Sequence, residues 1–373
     1  MCAGEPAQFL EDTHKLNSNK LTAYGLTADM TTTNAPGLTI GRVVAQSRNL
    51  YGVQTAAVRV QAQVSGRMQN IAFGPEDFPT VGDWVLLRMP ASLQDAGIIE
   101  RLVPRQSVFT RKAAGTTSNL QVVAANVDTL FLCMALDGNF NLRRLERYLA
   151  VARDSGATPV VVLTKADLAT DFANQLTAVT ATAGDAQVLV CDATKVDGWQ
   201  ELQACIHPGR TYAFLGSSGV GKSTLINRLL GSDELATGGI RLADAHGRHT
   251  TTSRQLIVLP SGGIVIDTPG MRELAIVAAD LDSTFSDITD LARGCKFNDC
   301  THTREPGCAV QAAIAAGELD PKRLRSFHQL QAEQKENKEL RGRAREHAKI
   351  EKMFGSKKSM KAAMRTAKNK WRR

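Results

Sequence analysis

Between Leu38 and Pro104 the apolar positions come in short runs with β-like alternation: Leu38 to Ala45, Thr55 to Val64, Arg67 to Phe73, Asp83 to Arg88 and Gly97 to Val103. Gly and Pro punctuate them, as at Gly66 and Gly82, and five such strands in one short stretch predict a small β-barrel. Beyond Arg105 the pattern alternates. Val127 to Met134, Val160 to Leu163, Gln187 to Val190, Thr211 to Leu215, Leu256 to Leu259 and Ile264 to Ile266 read as buried strands. Leu142, Leu145, Leu149 and Ala152 mark one face of a helix, and Leu225 to Leu230 mark another. This is the pattern of an α/β domain with a doubly wound, mostly parallel sheet, which takes ligands at the carboxyl ends of its strands. Residues 1 to 37 show no sustained period and read as a poorly ordered extension. From Pro321 onward the composition is helical, with Leu324, Phe327 and Leu330 as a weak apolar stripe.

Composition sharpens this outline. A chain of 373 residues suggests two or three domains, since one core rarely grows beyond roughly 250–300 residues. No apolar run is long enough to cross a bilayer, and the amino end lacks a basic region followed by an apolar block, so a cytoplasmic protein without membrane attachment is expected. Net charge is +8, but residues 341 to 373 hold thirteen Lys/Arg against two Glu, a local +11 that leaves −3 for the rest. Attraction to a polyanion is therefore concentrated in the tail, and RNA is the favoured partner. The barrel suits an oligonucleotide-binding fold, in which Tyr51, Phe73 and Trp84 either stack on bases or fill the core.

Gly216-Ser217-Ser218-Gly219-Val220-Gly221-Lys222-Ser223-Thr224 lies between an apolar strand and a helical run, and matches the phosphate-loop pattern in the context its mechanism requires. Backbone N–H groups at a helix start point at phosphates, and glycines let the chain approach them closely. Lys222 is expected to reach the terminal phosphates and the Ser223 hydroxyl to ligate Mg²⁺. Asp267-Thr268-Pro269-Gly270 closes the last strand, where an Asp holds the Mg²⁺ shell and Gly270 can offer its N–H to the γ-phosphate.

Seven cysteines, an odd number, do not read as a disulfide framework. Three of them cluster with a histidine as Cys295, four residues, Cys300, one residue, His302, five residues, Cys308. Three thiolates and one imidazole make a closed tetrahedral set for one structural Zn²⁺. Cys2, Cys133, Cys191 and Cys205 read as packing or exposed thiols.

Thr164-Lys165-Ala166-Asp167 directly follows a strand and resembles the Asn-Lys-x-Asp element by which GTPases read guanine. A carboxylate at Asp167 can accept two hydrogen bonds from guanine, and adenine offers no equivalent edge. Lys165 can lay its stem along the base. Thr164 departs from the usual Asn. Here the base element precedes the phosphate loop, whereas an ordinary GTPase has the reverse order. The chain runs base element, a degenerate Cys191-Asp192-Ala193 segment, phosphate loop, switch segment, then Asp-Thr-Pro-Gly, a circular permutation of one sheet. With the barrel before it and the cysteine cluster after it, the sequence over roughly residues 38 to 330 resembles the RsgA family of GTPases that mature the small ribosomal subunit.

The resemblance implies a GTP hydrolase that binds the small ribosomal subunit and its rRNA, is stimulated by that subunit and leaves after hydrolysis, acting as a monomer in the cytoplasm. In Gly247-Arg248-His249-Thr250-Thr251-Thr252, the first-switch position, either Thr250 or Thr251 would complete the Mg²⁺ shell, and resemblance to the family's switch histidine supports His249 as the residue that orients the attacking water. Met271 follows Gly270, so no glutamine serves that purpose. The expected division is an extension at 1–37, an oligonucleotide-binding barrel at 38–104, a permuted GTPase domain at 105–285, a zinc-binding domain at 286–330 and a basic helical tail at 331–373. Alternative readings are an ATP-dependent enzyme, which Asp167 argues against, and a nucleic-acid-binding phosphate-loop protein of a different RNA process.

Overall fold

The structure is a computed structural model that describes residues 20–31, 35–47, 50–92, 95–112, 120–192, 195, 197–231, 254–267, 274–277, 279–354 and 359–360. The barrel comprises β1 (Thr39–Ser47), β2 (Leu50–Thr55), β3 (Arg59–Val64), β4 (Trp84–Arg88) and β5 (Gly97–Leu102), with helix α1 (Gly66–Ile71) between β3 and β4. Its strands follow the order β1-β2-β3-β5-β4 and close through a β1–β4 pairing. Only β3 and β5 run parallel. Val43, Val53, Val60, Ala62, Val85, Leu87 and Ile99 fill the interior.

Two expectations need correction. Arg67 to Phe73 is not a strand: Ser65 caps a helix there by accepting the Met68 N–H at 3.2 Å. The fifth strand is β2, which the apolar pattern does not separate because the bend at 56–58 carries no Gly, Pro, Asn or Asp; Thr55 closes that bend, its hydroxyl 2.6 Å from the Val58 carbonyl. Tyr51 and Trp84 are 5% and 1% exposed and belong to cores, whereas Phe73 is 45% exposed. Part of the amino-terminal segment is also packed, since Leu21 and Met30 are buried with Trp84 and Leu86.

A hairpin of β6 (Val108–Lys112) and β7 (Leu120–Ala125) leads into the second sheet. In chain order this contains β8 (Thr129–Ala135), α2 (Leu142–Ser155), β9 (Thr158–Thr164), α3 (Phe172–Ala183), β10 (Gln187–Cys191), α4 (Gln200–Ala204), β11 (Thr211–Leu215), α5 (Lys222–Leu230), β12 (Arg254–Val258) and β13 (Ile264–Asp267). The strands lie in the order β10-β9-β8-β11-β13-β12, parallel as far as β13, with β12 antiparallel at the end. β12 then pairs with β1 of the barrel, so one hydrogen-bonded sheet runs through both units.

Arg42 seals the junction. Its guanidinium, buried and 5.4 Å from the Trp84 ring centre, donates to the carbonyls of Tyr24, Gly82 and Asn126 and to the Thr211 hydroxyl, the last at 2.8 Å. A buried cation is tolerated only when its donors are satisfied. Beyond the sheet come α6 (Leu281–Thr284), α7 (Ser286–Ala292), α8 (Ala309–Ala316) and the long α9 (Pro321–Phe354). Leu324, Phe327 and Leu330 are buried as the stripe predicts, and Phe327 packs on Phe285 with ring centres 5.3 Å apart. The far end of α9 reaches the barrel, where Lys352 donates to the carbonyls of Asn70 and Ala72. Among the described residues no helix is long and apolar enough to cross a membrane.

Candidate functional site

β11 is buried along its whole length and leads into Gly216, where a Cβ would lie 2.6 Å from the Cys133 carbonyl oxygen of β8. Only glycine fits so close to a neighbouring strand. The loop then turns through Gly219 and Gly221, with φ of +72° and +100°, and α5 begins at Lys222. The loop and the first turn of α5 therefore sit at the carboxyl end of the central strand, where helix N–H groups favour an anion. Lys222 Nζ donates to the carbonyls of Gly216 and Ser217, both at 2.7 Å, which holds the ammonium over the loop.

β9 ends two strands away, with Thr164 paired to Ala135 of β8 and to Cys191 of β10. The Thr164 hydroxyl is buried and donates to the Val220 carbonyl at 2.6 Å, which ties the base element directly to the phosphate loop. The chain then reverses at Lys165, whose φ is +55°, into a single turn at Ala166–Leu168 that presents Asp167 to solvent. Lys165 Nζ pairs with Asp137 Oδ2 at 2.9 Å. The Asn139 N–H and then Lys165 hold the Asp137 carboxyl below the ordinary carboxylate range. Asp137 was missed from sequence, although it lies just past the end of a buried strand, where an open α/β sheet collects its ligand groups.

Asp267 closes β13, one step beyond the Ala213–Ile266 pair, and its backbone is paired with Gln255. His249, Thr250, Thr251 and Gly270 lie outside the described residues, as does Ala193. The order of the elements is nonetheless plain: base element on β9, phosphate loop after β11 and acidic terminus on β13 occupy one edge of the parallel sheet.

Cys295, Cys300, His302 and Cys308 converge as their spacing predicts, with all four candidate ligand atoms within 4.8 Å of one another. His302 Nδ1 is 3.6 Å from the sulfurs of both Cys295 and Cys308, and those two sulfurs are 3.9 Å apart. Burial opposes ionisation of Cys295, but the N–H groups of Ala309 and Val310 together with the Cys300 and Cys308 thiols hold it below its usual value, whereas burial pushes the Cys300 thiol up to about 11. Burial lowers His302. A metal takes up such a set as thiolates and a neutral imidazole, and three sulfurs with one ring nitrogen within 4.8 Å fit a tetrahedral ion.

Comparison with known proteins agrees with this geometry. A family model described as RsgA GTPase matches residues 102–277. "Small ribosomal subunit biogenesis GTPase RsgA 2" of Lactiplantibacillus plantarum is 52% identical over 345 residues, covering 91% of this chain and 96% of that protein. "Small ribosomal subunit biogenesis GTPase RsgA" of Opitutus terrae is 46% identical over 303 residues, 79% of this chain and 83% of the relative. Among solved structures, YjeQ from Thermotoga maritima superposes with a TM-score of 0.58 at 26% identity, over 80% of this chain and 98% of that one. YloQ, described as a circularly permuted GTPase, has a TM-score of 0.56 at 23% identity, over 82% and 97%.

Proposed function

This chain belongs to the RsgA GTPase family, and from that premise we propose that it is a GTP hydrolase of small ribosomal subunit maturation whose turnover rises on the subunit and whose release follows hydrolysis. The observation that carries the reading is the 2.6 Å bond from Thr164 to Val220. It joins a base element and a phosphate loop encoded in inverted order, so a single nucleotide spans them.

In this reading Asp167 accepts two hydrogen bonds from guanine, Lys165 lies along the base and the Thr164 hydroxyl keeps both at a fixed distance from the loop. The N–H groups from Gly216 to Thr224 surround the phosphates, and Lys222 moves from the loop carbonyls to the terminal phosphates. Ser223, Asp267 and either Thr250 or Thr251 would hold Mg²⁺. When bound with GTP, that ion neutralises charge on the phosphate oxygens. Gly270 offers its N–H to the γ-phosphate, and His249 orients the attacking water in the place where other GTPases use glutamine. With Met271 after Gly270, intrinsic turnover is slow until a partner orders the switch.

Zn²⁺ held by Cys295, Cys300, His302 and Cys308 fixes the fold of the segment between α7 and α8. The barrel, this segment and the basic tail form the contacts to rRNA, the protein acts as a monomer in the cytoplasm, and the domain boundaries follow those read from the sequence except that residues 20–31 join the barrel and α9 runs unbroken across 330. The deciding experiment measures GTP turnover with purified small subunits, large subunits and free DNA. Acceleration by small subunits alone is expected; equal acceleration by large subunits or DNA would instead favour a nucleic-acid-binding module of another process. ATP hydrolysis as fast as GTP hydrolysis would remove Asp167 from base recognition.

A further inference from the structure

Glu305 stands between His302 and Cys308 in sequence and turns back onto the loop that carries His302. Its Oε1 accepts the Thr301 N–H at 2.9 Å and also the Thr301 hydroxyl. Its Oε2 accepts the N–H groups of Thr303 at 2.9 Å and Arg304 at 3.0 Å, with the Thr303 hydroxyl at 3.4 Å. His302 sits in the middle of these donors with φ of +59°, a left-handed conformation uncommon for any residue other than glycine. On its other side, Gln311 Nε2 donates to the His302 carbonyl at 2.6 Å. The backbone is thus gripped from two directions at the residue whose twist turns the imidazole toward the sulfurs.

We propose that Glu305 is the positioning residue of this metal site: its carboxylate fixes the left-handed turn at His302 and so presets Nδ1 for a tetrahedral ion. The inference rests on the zinc reading above. One carboxylate collects three amides and two hydroxyls here, which a neutral side chain with a single acceptor oxygen cannot do. Without it those donors are satisfied by water as easily as by protein, because the loop is at the surface, and the grip on the His302 backbone is reduced to the Gln311 contact.

The test uses the full chain loaded with zinc, following release of the ion to a chromophoric chelator, together with the visible spectrum of the cobalt(II)-substituted protein. Groups that orient a metal ligand typically change metal affinity by about 10–100-fold when removed. Glu305→Ala should therefore release zinc about ten times faster or more and shift the cobalt bands, with Glu305→Gln in between. Glu318→Ala, at an exposed position just beyond α8, should behave as wild type. Wild-type release and an unshifted cobalt spectrum in Glu305→Ala would overturn the assignment. If that variant does not accumulate folded, Glu305→Gln decides by the same two readouts. A wild-type chain that takes up neither zinc nor cobalt would remove the metal reading and this assignment with it, an outcome visible before any Glu305 variant is made.

Discussion

At Thr164 a single hydroxyl serves where a carboxamide is usual, and its partner is the buried Val220 carbonyl. Losing it removes a donor from a buried acceptor, at a cost of about 1–3 kcal/mol. Thr164→Val should therefore weaken GTP and GDP alike by about tenfold, equivalent to about 1.4 kcal/mol, in a fluorescent-nucleotide titration. A loss confined to GTP would mean that the hydroxyl acts on the γ-phosphate and not on the loop. His249→Ala should do the opposite, leaving affinity unchanged and lowering subunit-stimulated turnover; wild-type stimulated rates would take His249 out of the mechanism. Residues that carry a motif were legible at this scale, because glycines, Lys222 and the cysteines are tied to fixed spacings. Residues that support a motif were not. Asp137 reaches Lys165, and Glu305 reaches the His302 loop, through bonds that no spacing rule encodes.

Strands buried on both faces announce themselves as apolar runs, which is why β8, β9, β11 and β13 fell close to their expected places. Short amphipathic segments are ambiguous. In Arg67 to Phe73 the spacing of Met68, Ile71 and Ala72 suits a helical turn as well as a strand, and the Ser65 cap settles it. The β6–β7 hairpin escaped notice although Phe109 and the run Val122 to Ala125 are apolar and buried, because Thr110, Arg111 and Lys112 break the apolar pattern of β6. Helix α9 shows what packing adds to a weak stripe. Its Arg323 joins Glu146 of α2 at 2.8 Å and Asp287 of α7, while Gln334 and Asn337 donate at 2.7 Å to the carbonyls of Ala279 and Ile276. Phe327→Ala should cost about 3–5 kcal/mol at this seam, seen as a lower melting temperature with nucleotide affinity retained. An unchanged melting temperature would mean that α9 is not held by its apolar face.

Over the whole molecule the +11 of residues 341 to 373 divides in two. Residues 341–354 continue α9 toward the barrel, where Lys352 caps carbonyls of α1 and lies 5.1 Å from the Phe73 ring centre. Residues 355–373 hold eight Lys/Arg and no Asp or Glu. Truncation after Phe354 therefore separates charge from architecture. It should lower affinity for ribosomal RNA and flatten the salt dependence, by about 0.7–0.9 in slope for each phosphate that the shortened chain no longer neutralises, without altering GTP affinity. An unchanged slope would place the RNA contacts elsewhere.

The Arg42 clamp carries a consequence for biosynthesis. Its acceptors on Asn126 and Thr211 are translated 84 and 169 residues after it, and the β12 partner of β1 later still. A nascent barrel leaving the exit tunnel can satisfy this guanidinium only in part, through the carbonyls of Tyr24 and Gly82, until the middle of the chain has been made. Native closure of the junction between the two units is thereby delayed to the second half of translation, and a chain stopped at residue 104 lacks two of the four acceptors that seal it.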